Sequence, residues 1–276
     1  MNPISLEEIR RIQLDITDAL HEFCIVNEIK YSLACGSLLG AIRHNGYIPW
    51  DDDMDVYIER KDYNRFLELF PSEYKGIYKF SCLERDKKWN LPFGKLYDNR
   101  TILLENSEEW IPIGINIDIF PLDSAPDDDE QWKKYNKKRV FLRDFIIYKY
   151  VKLHKNKSLI KNLAIILLRI FFFFISKRTH SRIVSWYAQI YNSKKTNRIF
   201  ENIQGIFQKK PFDKSDFSDT ILHKFEDREF FVMKNYDHCL KCGFGDYMKL
   251  PPVEKRITHH SFNAYWKKDF INVNRK

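Results

Sequence analysis

The sequence predicts an α+β fold: a mixed β-sheet core with flanking helices and an added basic helical segment. Three observations carry this expectation. An amphipathic helical pattern opens the chain, short β-like runs joined by polar turns follow it to about residue 120, and a helical stretch of concentrated positive charge comes next. The 276 residues, 44% hydrophobic and 30% charged, suit a catalytic core with an attached subdomain. The expected division is a core over 1–126, a basic helical subdomain over 127–236, and a C-terminal segment over 237–276 that packs back on the core.

Ser5 followed by Glu8 has the spacing of a capping box. Leu6, Ile9, Ile12, Ile16, Leu20 and Phe23 then recur at three- and four-residue steps, which predicts an amphipathic helix. Residues 31–34 read as a strand, Gly36-Ser37 as a turn, 38–43 as a short helix and Asn45-Gly46 as another turn. A strand over 54–58 and a helix over 61–70, closed by Pro71, come next. Residues 78–83, 93–97, 101–105 and 113–120 are β-like. From Asp127 the pattern turns helical, and from Asp237 it is richer in Gly, Pro and aromatic residues, as loops and short elements are.

The formal net charge of +8 is uneven. Lys133 to Arg182 holds 15 Lys or Arg against one acid, Asp144, while the rest carries 31 basic and 37 acidic side chains. That distribution disfavours a chain-wide nucleic-acid footprint and favours one basic surface. Inside this segment, residues 163–175 are apolar apart from Arg169, and too short for the roughly 20 residues that span a bilayer. Cations flank them on both sides, which suits an anionic membrane surface; a buried helix is the plainer alternative. The N-terminus has no apolar run, so no secretory signal is expected, and five cysteines fit a reducing cytoplasm. Cys239 and Cys242, beside His238, lack a second ligand pair at zinc-finger spacing and read as ordinary thiols.

The segment that carries chemistry runs from Gly36 to Val56. Four acids in five positions, Asp51, Asp52, Asp53 and Asp55, precede an apolar strand. Side chains alternate along a strand, so Asp53 and Asp55 share a face, Asp51 extends it, and Met54 and Val56 enter the core. Neighbouring carboxylates repel unless a hard divalent cation, Mg²⁺ or Mn²⁺, neutralises them. Upstream, the amides and hydroxyl of Gly36-Ser37 suit a phosphate, and Gly admits close approach. Asp118, set between isoleucines in Ile-Asn-Ile-Asp-Ile-Phe, is the expected third carboxylate, as metal ligand or general base. Asp123, after Pro121, is a weaker candidate that reads as a turn cap.

These residues resemble the LicD family, a branch of the nucleotidyltransferase superfamily that includes the fukutin-related proteins. The resemblance lies in G-S-L-L-G-A-I-R-H-N-G-Y-I-P-W-D-D-D-M-D-V (36–56), F-G-K-L-Y-D-N-R-T (93–101), I-D-I-F-P-L-D (117–123) and G-F-G-D-Y-M-K-L-P-P (243–252). It implies a nucleotidyltransferase-like core that moves phosphocholine from CDP-choline to a hydroxyl of a cell-surface glycan, such as teichoic acid or lipopolysaccharide, or of its lipid-linked precursor, with CMP released. Carried onto this chain, Gly36 and Ser37 match the phosphate-binding turn, Asp53 and Asp55 the metal pair with Asp51 beside them, and Asp118 the third acid. Arg43, His44, Lys95 and Arg100 lie in matched blocks as candidate donor contacts. A quaternary ammonium also calls for an aromatic or acidic box, for which Trp50, Trp89 and Trp110 are candidate walls, with a place in the core the plainer alternative for each. The expected location is cytoplasmic, peripheral on the inner face of the membrane. The rival readings are transfer of glycerol phosphate, ribitol phosphate or a nucleotidyl group by the same fold, and an inactive glycan- or membrane-binding module.

Overall fold

The computed structural model describes residues 3–105, 113–145, 166–167, 175–205, 210–258 and 262–268. Helix α1, Leu6–Val26, starts where expected: the Ser5 hydroxyl accepts the Glu8 N–H at 3.2 Å. Its Ile9, Ile12, Ile16, Leu20 and Phe23 are buried, and only Leu6 of the predicted stripe stays exposed. Strand β1, Tyr31–Leu33, leads into α2, Cys35–His44, and then come β2, Asp55–Glu59, and α3, Arg60–Leu69. Strands β3, Tyr78–Ser81, β4, Gly94–Asp98, β5, Thr101–Glu105, and β6, Asn116–Ala125, complete the predicted β-like series.

The central sheet has the order β1-β2-β6-β4-β3, with β2 and β6 parallel and the other pairs antiparallel. This is the mixed sheet of an α+β fold. In the first half of β6, Ile117 and Ile119 are buried while Asn116 and Asp118 reach the other face, half-buried. From Phe120 to Ala125 every residue is buried, because the second half of β6 pairs with β7, Arg198–Phe200, which pairs in turn with β8, Phe212–Asp213. Helices α4, Asp129–Asp144, and α5, Lys177–Ala188, lie against each other beside that half.

Two expectations are corrected. Gly36 and Ser37 are not a separate turn but lie in the first turn of α2, and Cys35 before them takes a left-handed φ of 45° that swings the chain out of β1. Residues 198–233, expected as helix, contain four strands: β7, β8 and the hairpin β9, Thr220–Phe225, with β10, Arg228–Met233. The hairpin turn is Glu226-Asp227, with Glu226 at φ 57° and no Gly or Asn to announce it. After it come α6, Tyr236–Phe244, and β11, Phe262–Trp266, which pairs with β5.

Several cations of the basic segment hold backbone. Arg139 and Arg143 both donate to the Gln204 carbonyl, and Arg178 donates to the carbonyls of Leu83, Asp86 and Trp89. The apolar run 163–175 lies outside the described residues except at 166, 167 and 175, and Trp110 also lies outside them. Among the described residues no helix is long and apolar enough to cross a membrane.

Candidate active site

The acids converge because β2 and β6 run parallel in a register that sets Asp55 beside Asp118. On the other side of β6 the register sets Lys95 of β4 beside Asp118. The result is a row across the sheet, Asp55–Asp118–Lys95, in which the Lys95 ammonium lies 2.5 Å from the Asp118 carboxylate and 3.0 Å from the Asn116 side-chain oxygen. The loop before β2 adds Asp51, Asp52 and Asp53, one carboxylate oxygen from each lying within 4.8 Å of the other two. Met54 and Val56 are fully buried, as the alternation requires.

Asp51, Asp53, Asp55 and Asp118 line one cavity of about 730 Å³, together with Gly36, Arg43, Trp50 and Phe120. The opposite wall is the C-terminal rim, from Phe244 through Tyr247, Lys249 and Leu250 to Pro252. Arg43 joins the two sides by donating to the Tyr247 carbonyl at 2.6 Å. Gly36 has a local reason to be glycine: a Cβ there would overlap the Asp51 carboxylate. The Ser37 hydroxyl accepts the Asp55 N–H at 2.9 Å and so ties the first turn of α2 to the start of β2. That turn leaves backbone N–H groups without intrahelical partners beside the acids.

Charge accumulation shows in the proton affinities. Burial first, then the Asp53 carboxylate, pushes the Asp51 carboxyl up to about 7. Burial, then Asp53, Asp118 and Asp51, raises the Asp55 carboxyl well above the ordinary carboxylate range, against the pull of Lys95. These residues fit a hard divalent ion: every donor is a carboxylate oxygen, and their mutual repulsion calls for a cation.

The other expected contacts divide. His44 packs edge-on against Trp50, with ring centroids 6.4 Å apart, and does not line the cavity. Arg100 is held at the β4–β5 turn by Asp98, at 2.6 Å, and stacks over Trp266, also outside the cavity. Trp50 borders the cavity, whereas Trp89 is fully buried and donates its indole N–H to the Phe93 carbonyl, so it belongs to the core.

Sequence reading missed two residues on α1. Arg10 donates to the carbonyls of Ile48, Pro49 and Asp51, at 3.2, 3.0 and 2.5 Å. Gln13, buried, donates to the Asp52 carbonyl at 3.0 Å and accepts from the Tyr47 hydroxyl at 3.1 Å. Together they clamp the backbone that carries the acids. Replacing Arg10 by Ala is expected to weaken Mn²⁺ binding by about 10- to 100-fold, as loss of an outer-shell support does, with Lys restoring part of it. Titration of Mn²⁺ by electron paramagnetic resonance reads this; an unchanged affinity in Arg10→Ala would show that the loop holds itself.

The mixed sheet presents four strand- and loop-borne carboxylates, Asp51, Asp53, Asp55 and Asp118, beside a helix N-terminus, an arrangement suited to holding a divalent ion and the phosphates of a donor. A family model described as "LicD/FKTN/FKRP, nucleotidyltransferase domain" matches residues 28–153. The chain is 33% identical over 270 residues to the lipopolysaccharide cholinephosphotransferase LicD of Haemophilus influenzae, covering 96% of this chain and 99% of that protein. Shorter matches join it to uncharacterized proteins of Rickettsia typhi and Rickettsia prowazekii, 47% and 45% identical over 51 residues, 18% of this chain and 16% and 19% of theirs. The chain belongs to the LicD family.

Proposed function

We propose that the protein is a phosphotransferase that moves phosphocholine from CDP-choline to a hydroxyl of a cell-surface glycan or its lipid-linked precursor, releasing CMP. The observation that carries this reading is the cavity in which Asp51, Asp53, Asp55 and Asp118 face Arg43 and the first turn of α2. The near full-length similarity to a lipopolysaccharide cholinephosphotransferase supports the choline donor and the glycan acceptor.

Asp53 and Asp55, with Asp51 and Asp118, would hold Mg²⁺ or Mn²⁺, which supplies charge neutralisation at the donor's pyrophosphate. The amides of Gly36 and Ser37 and the Arg43 guanidinium bind phosphate oxygens from the opposite side. Asp118, oriented by Lys95, accepts the proton of the acceptor hydroxyl as it attacks the choline-side phosphorus. Trp50, Phe120, Phe244 and Tyr247 are aromatic residues lining the cavity, from which a quaternary ammonium takes its walls. His44 and Arg100, outside the cavity, have no direct role in this reading. The basic segment places the enzyme peripherally on the inner face of the membrane, near a lipid-linked acceptor.

The test is CMP release in the presence of Mg²⁺ and a glycan acceptor, free or in anionic and neutral vesicles. We expect acceptor-stimulated release from CDP-choline, abolished by chelation and faster with anionic vesicles. Release from CDP-glycerol or CDP-ribitol instead would move the donor to another phosphoalditol. Binding of glycan without release from any donor would leave an inactive binding module.

A further inference from the structure

A second set of metal-type donors forms away from the catalytic cavity, where α6 meets the end of β8. Asp213 caps the 3-10 turn Lys214–Phe217, and Asp216 returns the bond by accepting the Asp213 N–H at 3.1 Å. His238, in the first turn of α6, brings its Nδ1 to 2.6 Å from the same Asp216 carboxylate. One ligand atom from each of the three lies within 4.8 Å of the other two. Asp216 is buried, while the His238 side chain is 50% exposed, so the set opens to solvent on one side. Cys242, one helical turn beyond His238, lines the same cavity of about 830 Å³ as Asp213 and His238. Capping engages part of each carboxylate, and an ionised carboxylate has about four acceptor positions, so both keep lone pairs for a further ligand.

We propose that Asp213, Asp216 and His238 form a second metal site, for a borderline divalent ion, Zn²⁺ in the first instance. The donor chemistry separates it from the catalytic acids. An imidazole with two carboxylates, beside a thiol, suits Zn²⁺, whereas an all-oxygen set suits Mg²⁺. On binding, the ion takes the place of the proton in the His238–Asp216 hydrogen bond; the imidazole ligates through Nδ1 as its neutral Nε2–H tautomer, so a neutral ring gives up the Nδ1 proton and takes one at Nε2, and a protonated ring releases one proton to solvent. The site has a structural consequence. Helix α6 ends at Phe244 and runs directly into the rim that walls the catalytic cavity. A metal at its first turn fastens the base of that rim to the Lys214–Phe217 turn.

The experiment strips the full-length protein with chelator, reloads it with Zn²⁺, and measures bound zinc, affinity and melting temperature. It uses wild type, His238→Ala, His238→Cys and Asp53→Asn. We expect one tight equivalent in wild type and in Asp53→Asn. Loss of the imidazole weakens binding at least about 10-fold in His238→Ala, and the soft donor of His238→Cys restores it. Zinc raises the melting temperature of wild type and not of His238→Ala. Unchanged affinity in His238→Ala, loss of the tight equivalent in Asp53→Asn, or no tight equivalent in wild type overturns the proposal. None of these readouts depends on transferase activity, so failure here and failure of the proposed reaction are separately visible.

Discussion

Asp55→Asn is expected to lose turnover by about 10³-fold or more and, in metal-free solution, to melt above the wild type. The first effect follows from position. Asp55 is buried at the start of β2, beside Asp118 in register and within the same cavity as Asp51 and Asp53. Removing one of its charges removes part of the grip on a Lewis-acid ion worth several kcal/mol at the transition state, and about 4 kcal/mol is 10³-fold in rate. The second effect follows from the raised proton affinities. A carboxyl whose folded-state pKa lies above its unfolded value binds more protons when folded. Its contribution to stability therefore falls as pH rises from the unfolded value and reaches its full penalty above the folded one. For Asp51 that window runs from the ordinary 3.8 to about 7, and Asp55 is displaced in the same direction. Metal-free wild type should thus melt lower at pH 8 than at pH 5. Asp55→Asn should narrow that gap, by about 2–4 °C for each kcal/mol of relieved repulsion, and Mg²⁺ should raise the wild type more than the variant. Thermal melts across this pH range with chelator, paired with CMP release, check both. Retained turnover, or a variant that melts below wild type at pH 8 without metal, would remove Asp55 from the site.

That the acids gather at one cavity was legible because an exposed edge, the plainer alternative, does not account for four carboxylates set so closely before an apolar strand. Four carboxylates before an apolar strand repel one another, and strand alternation assigns Asp53 and Asp55 to one face. Asp118 was legible for the same reason, since isoleucines on both sides fix which face it takes. Lys95 could be named but not its partner, because pairing of β4 with β6 is a long-range register that local pattern does not contain. Arg10 and Gln13 were hidden differently. Polar residues on an amphipathic helix look like its solvated face, and only the tertiary path of the loop after Tyr47 reveals carbonyls for them to hold. The strands between residues 198 and 233 escaped because two are only three and two residues long and the hairpin turns on Glu226-Asp227. Gly36 was legible as necessary but not for its local cause, the Asp51 carboxylate that occupies the space a Cβ would fill. The order of the elements was thus readable as far as β6, while the contacts that aim the site depended on pairings distant in sequence.

Asp123→Ala is expected to destabilise the protein by about 3–5 kcal/mol, the effect of stranding a buried charge. Asp123 read as a turn cap, yet it sits within β6 with its side chain fully buried, gripping the Arg60 guanidinium through both oxygens at 2.7 and 2.9 Å. Asn192 donates to the same carboxylate at 2.6 Å, and the Arg60 guanidinium lies 5.2 Å from the centroid of the Tyr63 ring. The pair fastens the first residue of α3 to the central sheet and helps to hold the loop before β7 against the second half of β6. Removing the aspartate leaves Arg60 with no carboxylate in a dry environment, and removing the arginine does the reverse, so each single change should be severe. Replacing both, as Arg60→Met with Asp123→Leu, should cost much less than the two single losses combined, because the attraction within a buried pair largely offsets the desolvation of its members. Denaturant unfolding of wild type, Arg60→Met, Asp123→Leu and the double variant measures that coupling, and in a thermal melt Asp123→Ala is expected roughly 10 °C below wild type. The two roles open to Asp123 part at this point. A structural aspartate lowers the melting temperature and leaves the Mn²⁺ affinity of the remaining folded protein unchanged. A fifth acid of the site would instead lower Mn²⁺ affinity with little change in melting, and that outcome would move Asp123 from the frame of the fold into its chemistry.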